Sequence, residues 1–255
     1  MWLPFGKNRG DNKDKSPPLA ADENDLVVLM DSSLDSKLVV YQDPRSFPSE
    51  QYRSFRTNLR AMNPGDAPRT LLFTSPAPDE GKSTTVANIA LSLAEFQNLK
   101  VCLIDMDLRS PKMHEFFDLP IGPGVTDVLL DRTNPRKVLQ VGSSPNLSVI
   151  TAGRPTNKPS EVTASEYVQD FMGFLKQEYN YIVIDTPPCN LFGDAAQIGK
   201  LVDGVILVVA LGETMKAQAD ATLETLASAG ANVVGSFVTQ VRSAQPTVVP
   251  DLEDV

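Results

Sequence analysis

The chain has 255 residues, 42% of them hydrophobic, and a formal net charge of -9. That is enough for one full-sized α/β domain with loose ends, and the acidity without any long basic patch argues against nucleic acid as a partner. The longest apolar run, residues 205–211, is far short of the roughly 20 residues of a membrane span. No secretory pattern opens the chain, and a single histidine, His114, allows neither a histidine metal centre nor a triad.

Residues 1–24 are polar and of mixed charge, which predicts disorder, with Trp2 and Phe5 as isolated exceptions. Over residues 25–48, the short apolar pieces Leu26-Val27-Val28-Leu29-Met30 and Leu38-Val39-Val40-Tyr41 are interrupted by polar residues and Pro44. They predict an extended arm lying on the domain. A helix is expected over 49–61 with Ser49 as its N-cap. On it Glu50, Arg53 and Arg56 recur every three residues and project from one side. Strands are expected near 70–74, 101–105, 147–151, 181–185, 205–210 and 233–238, alternating with helices near 82–96, 164–178, 194–201 and 215–229. That alternation predicts an α/β fold: a doubly wound, mostly parallel sheet with helices on both faces. The organisation is then a flexible arm (1–48), one domain (49–242) and a flexible acidic tail (243–255).

The first strand runs into Ser75-Pro76-Ala77-Pro78-Asp79-Glu80-Gly81-Lys82-Ser83-Thr84 at the head of a helix. Backbone N–H groups and a helix N-terminus in such a loop cradle phosphates. Pro78, Asp79, Glu80, Gly81, Lys82, Ser83 and Thr84 are therefore the candidate nucleotide-binding residues. Lys82 is placed to reach the β/γ-phosphates and the Ser83 hydroxyl to ligate Mg²⁺. Pro76 stands where the usual pattern has its first glycine, and a bare Gly-Lys-Ser-Thr can also be an ordinary helix start. The apolar strand before it, and Val86, Ile89, Ala90 and Leu93 on one face of the helix after it, favour nucleotide binding. Two further apolar runs end in aspartate: Val101-Cys102-Leu103-Ile104-Asp105, followed by Met106-Asp107, and Tyr181-Ile182-Val183-Ile184-Asp185. One such aspartate alone reads as a loop cap. Two beside a P-loop, at the carboxyl edge of a parallel sheet, read as a Mg²⁺ and catalytic set with Lys82.

These segments resemble the bacterial tyrosine kinases, P-loop proteins of capsule and exopolysaccharide export, over roughly residues 44–242. Residues 75–84 are similar to their proline-containing Walker A loop. Residues 103–114, Leu-Ile-Asp-Met-Asp-Leu-Arg-Ser-Pro-Lys-Met-His, resemble their Walker A′ segment, and residues 182–188 their Walker B. Segments 124–129 and, more loosely, 152–161 also match. The resemblance implies an ATP- and Mg²⁺-dependent protein-tyrosine kinase with Lys82, Asp105 and Asp107 as catalytic residues. It implies Ser83, Asp105 and Asp185 around the metal, and Arg109, Pro111 and His114 shaping the loop after Asp107. Glu50, Arg53 and Arg56 match the family motif that joins subunits into a ring. The implied partners are a membrane polysaccharide chain-length regulator, whose cytoplasmic segment completes the nucleotide site, and a protein tyrosine substrate. The expected location is the cytoplasm, peripheral to the membrane through that partner.

Two features depart from the family pattern. Its C-terminal tyrosine cluster is missing: the five tyrosines are Tyr41, Tyr52, Tyr167, Tyr179 and Tyr181. The acceptor is then another protein, an N-terminal site such as Tyr41, or none, if the domain is an ATP-driven switch. Val238-Thr239 stands where the family often places an asparagine near the adenine base. Alternative readings are a regulatory ATPase of the MinD/ParA type and a nucleotide-sensing scaffold. Residues 75–80 contain no lysine, whereas the MinD/ParA proteins carry an extra one there.

Overall fold

Side chains alternate between the two faces of a strand, so an uninterrupted apolar strand must be covered on both sides. The computed structural model, which describes residues 34–63, 67 and 69–241, covers them in that way. The expectations for residues 1–33 (the disordered start and the first part of the arm) and for the acidic tail 243–255 lie outside the described residues.

The described residues form a seven-stranded sheet: β1 (Arg69–Thr74), β2 (Val101–Asp105), β3 (Gln140–Val141), β4 (Leu147–Ile150), β5 (Tyr181–Asp185), β6 (Gly204–Ala210) and β7 (Val233–Thr239). Their spatial order is β3-β4-β2-β5-β1-β6-β7. All neighbours are parallel except the short edge pair β3 and β4. Leu71 and Phe73 of β1 join one core, which also contains Val86, Ile89, Ala90 and Leu93 of α3 (Lys82–Ala94) and Phe55 and Leu59 of α2 (Phe47–Ala61). Leu72 of the same strand joins the opposite core. That core is built on α5 (Val125–Asp131), α7 (Tyr167–Glu178), α8 (Asp194–Gly199) and α9 (Lys216–Ser228). The doubly wound fold is thus the one expected, and β2, β5 and β1 lie side by side with their carboxyl ends at one edge.

The helix around residues 49–61 starts two residues earlier than expected. Ser46 is its N-cap, and its hydroxyl accepts from the Ser49 N–H at 3.4 Å. Ser49 instead points inward and donates to Val39 O at 3.0 Å and Asp43 O at 2.7 Å. Those bonds belong to a second difference. The described part of the arm is not extended but folds into a single helical turn, α1 (Val39–Gln42), with Leu34, Leu38 and Val40 buried. Asn88 of α3 fastens it. Its Oδ1 accepts from the Val40 N–H at 3.0 Å, while its Nδ2 donates to Lys37 O at 2.9 Å and Thr84 O at 2.8 Å. Three further short helices went unread in the sequence: α4 (Met113–Phe116), α5, and α6 (Pro159–Thr163) ahead of α7.

Asn88 is fully buried, and replacing it with alanine takes their side-chain partner from the Val40 N–H and the Lys37 carbonyl. Asn88→Ala should lower stability by about 2–3 kcal/mol in urea unfolding and accelerate hydrogen exchange at Val40. Unchanged exchange there would mean that Asn88 does not hold the arm.

Candidate functional site

The β1–α3 loop turns sharply because two of its residues adopt left-handed backbone, Asp79 at φ 59° and Gly81 at φ 79°. A side chain at Gly81 would also press on Thr239, whose Cγ2 lies 3.3 Å from where a Cβ would be. The loop is braced from inside. Glu80 is buried, and its Oε2 accepts from the Ala77 N–H at 2.8 Å while its Oε1 accepts from the Thr214 hydroxyl. Thr239 at the end of β7 donates to Glu80 O at 2.7 Å. The residue at the family's asparagine position therefore supports the loop backbone. Within the predicted nucleotide set, the Glu80 side chain points into the fold, whereas Pro78, Asp79, Gly81, Lys82, Ser83 and Thr84 line an open cleft of about 460 Å³.

Lys82, nearly buried, donates to Asp185 Oδ1 at 2.6 Å and to Ser83 Oγ at 3.3 Å, and stands 3.9 Å from Asp107 Oδ2. Asp185 is fully buried, and among the described residues its second oxygen, Oδ2, has no hydrogen-bond partner. Asp105 pairs in register with Asp185 across β2 and β5. Its oxygens are occupied by backbone: Oδ2 accepts from the Lys112 and Met113 N–H groups at 2.8 and 2.9 Å, and Oδ1 from the Asp107 N–H at 3.2 Å. Asp105 thus moulds the 106–113 loop from beneath. Asp107 also caps that loop, its Oδ1 accepting from the Arg109 and Ser110 N–H groups at 3.2 and 3.0 Å, but it lines the cleft itself. Arg109 ties the loop outward. It donates to Ser160 Oγ at 2.7 Å and Asp194 Oδ2 at 3.2 Å, and its guanidinium lies 4.0 Å over the Phe192 ring.

Two buried carboxylates, Asp185 and Asp107, therefore stand beside one ammonium group, and a third, Asp105, lies next to Asp185. Burial, then the charges of Asp185 and Asp107, push Asp105 up to about 8 against the pull of its backbone hydrogen bonds. Burial likewise raises Asp185, opposed by Lys82. Such a cluster holds either an extra proton or a cation. The bare carboxylate oxygen of Asp185 and the nearby Ser83 hydroxyl are hard oxygen donors of the kind that suits Mg²⁺. Among the described residues no three acidic, cysteine or histidine side chains form a complete metal cage. Mg²⁺ ordinarily keeps only one or two carboxylates and takes its remaining ligands from water and phosphate.

The cleft also contains residues that the motifs did not reveal. Lys37 reaches it from the arm, with its ammonium 5.6 Å from the centre of the Phe116 ring, and Leu191 and Phe192 form the opposite wall. No spacing in the sequence marks Lys37, because only the docking of α1 on α3 brings it there. The predicted oligomerisation residues lie away from the cleft. Arg53 donates to Glu95 Oε1 at 2.7 Å and to Glu50 Oε1 at 2.5 Å, and Arg56 pairs with Glu95 and lies 4.5 Å from the Phe96 ring centre. The arginines are folded back on the end of α3 and are not a freely solvated charged face.

Because Asp105 titrates in the fold far above the ordinary carboxyl value of about 4, the folded state keeps a proton that the unfolded chain has released. Stability should therefore fall as pH rises from about 5 to 8, by at most about 1.4 kcal/mol per pH unit. Asp185→Asn removes the neighbouring charge and should flatten that decline in urea midpoints taken at the two pH values. Parallel declines in both proteins would disprove the coupling.

Comparison with known proteins places this geometry in context. A family model described as an AAA domain matches residues 79–211. The tyrosine-protein kinase YwqD of Bacillus subtilis is 34% identical over 81% of this chain and 87% of its own length. The tyrosine-protein kinase CpsD of Streptococcus agalactiae is 30% identical over 78% of this chain and 84% of its own. Among solved structures, the chimeric protein CapA2B2 superposes with a TM-score of 0.76 at 31% identity, covering 82% of this chain and 92% of that one. MinD of Pyrococcus horikoshii superposes with a TM-score of 0.58 over 72% of this chain and 74% of its own, but at 20% identity it shares the fold alone.

Proposed function

This chain belongs to the family of bacterial tyrosine-protein kinases, and from that premise we propose how its own residues carry phosphoryl transfer from ATP to a protein tyrosine. The observation that supports the reading is that Lys82 and Asp107 line a cleft of nucleotide size while the buried Asp185 is paired to Lys82. Phosphoryl transfer needs positioning and charge neutralisation more than covalent chemistry. Backbone N–H groups of the 75–84 loop grip the phosphates, and Lys82 turns from Asp185 toward their outer oxygens. Ser83 and Asp185 would hold Mg²⁺, while Asp105 fixes the loop from beneath. When bound, the metal neutralises the charge on the phosphate oxygens. Asp107 lines the cleft and orients or deprotonates the incoming tyrosine hydroxyl.

By the same reading the kinase serves capsule or exopolysaccharide export, and a cytoplasmic segment of a membrane polysaccharide regulator covers the nucleotide. Leu191, exposed at the cleft wall, suits such a cover. No helix among the described residues is long and apolar enough to cross a membrane. Ring assembly would exchange the contacts of Arg53 and Arg56 with Glu95 for contacts with a neighbouring copy.

With ATP, Mg²⁺ and an activator segment, the wild-type protein should form phosphotyrosine and Lys82→Met none. Asp107→Asn should lower kcat by about 10²–10⁴-fold while nucleotide affinity is retained. ATP hydrolysis with no phosphotyrosine on any protein would favour a nucleotide switch. For assembly, Arg53→Ala together with Arg56→Ala should convert rings to monomers in light scattering, and an unchanged mass would reject the ring role.

A further inference from the structure

A tyrosine can accept phosphate only if its phenol reaches an in-line position behind the γ-phosphoryl group. All five tyrosines of the chain fall within the described residues, and four are unsuited to that approach. Tyr181 is 1% exposed. The Tyr179 hydroxyl is engaged with Ser148 Oγ at 2.9 Å. Tyr52 stacks on Phe237 with ring centres 5.4 Å apart, and burial pushes its phenol up. Tyr167 packs against the core beneath Arg132, whose guanidinium is 3.9 Å from the ring centre. Tyr41 alone projects into solvent, at 50% exposure.

Its position adds a second argument. Tyr41 lies on α1, four residues beyond Lys37, which lines the catalytic cleft. On its other side, α1 is bonded to the head of α2 through Ser49, and Arg53 of α2 donates to Pro44 O. The helical turn that carries the exposed phenol thus connects the cleft-lining Lys37 to the helix of Glu50, Arg53 and Arg56. Leu38 and Val40 are buried, so α1 cannot swing into its own cleft without withdrawing two side chains from the core. A second copy meets the phenol directly from solvent.

We propose that Tyr41 is the autophosphorylation site of this kinase, modified by a second copy of the chain. The inference rests on the kinase reading of the cleft and names its substrate. In the step, Tyr41 Oη forms a bond to the γ-phosphorus of ATP as the bond from that phosphorus to the β–γ bridging oxygen breaks. The phenolic proton passes to the Asp107 carboxylate of the acting copy and on to water, and ADP departs.

The test uses the full chain with ATP, Mg²⁺ and the activator segment, a synthetic Glu/Tyr copolymer as a parallel substrate, and mass spectrometry of the products. Phosphate should appear on Tyr41, and Tyr41→Phe should lose nearly all self-incorporation while labelling the copolymer as the wild type does. In a mixture, active Tyr41→Phe should phosphorylate Tyr41 of the inactive Lys82→Met chain. Copolymer labelling with no phosphate on Tyr41 would overturn the inference and leave the kinase reading standing. Labelling of wild type but never of Lys82→Met in the mixture would overturn transfer between copies. Absence of phosphate from both substrates would overturn the kinase reading and the inference together.

Discussion

The contact on which the site depends is the ion pair between Lys82 and Asp185, 2.6 Å apart at the dry end of the sheet. A buried ammonium or carboxylate without a counter-charge is too costly to keep ionised. Each therefore fixes the other in place. The pair is possible only because β1 and β5 are neighbours, which sets the residue after the phosphate loop beside the last residue of β5. Asp185 and Asp107 together carry more negative charge than one lysine can balance, and Asp105 beside them keeps its proton. That imbalance suits a site that receives Mg²⁺ and gives its lysine to phosphate.

Around this contact the chain builds rigidity from ordinary hydrogen bonds. Glu80 holds the phosphate loop from within, Thr239 supports its carbonyl, and Asp105 gathers three backbone N–H groups of the next loop. Arg109 connects that loop to Asp194 and Ser160. Strand-end residues and first-turn residues supply most of the chemistry, and loop carboxylates supply most of the shape.

What the sequence made legible follows from how strongly each element is determined locally. Strands buried on both faces announce themselves as unbroken apolar runs, and the order of β1, β2 and β5 with their terminal aspartates placed Lys82, Asp105, Asp107 and Asp185 together. The Thr214 and Thr239 braces, the Ser46 cap and the docked turn α1 carried no such signature. Ser46 and Ser49 are both good N-cap residues, and only the contacts of Ser49 with Val39 and Asp43 decide between them. Lys37 was invisible for the same reason: a four-residue helix has no periodicity to read, and burial of Leu38 and Val40 alone determines where it lies. The arginines of α2 were legible as a stripe, but their partner Glu95 lies 39 to 42 residues away in sequence.

Helix α3 gives this arrangement a mechanical meaning. It begins at Lys82 and ends one residue before Glu95, a span of about 20 Å along a rod whose side chains are almost all embedded in the core. The grip on nucleotide and the arginine clasp are thus opposite ends of one lever that has little freedom to bend. Were a neighbouring copy to open the clasp, it would act on the same rod that carries Lys82.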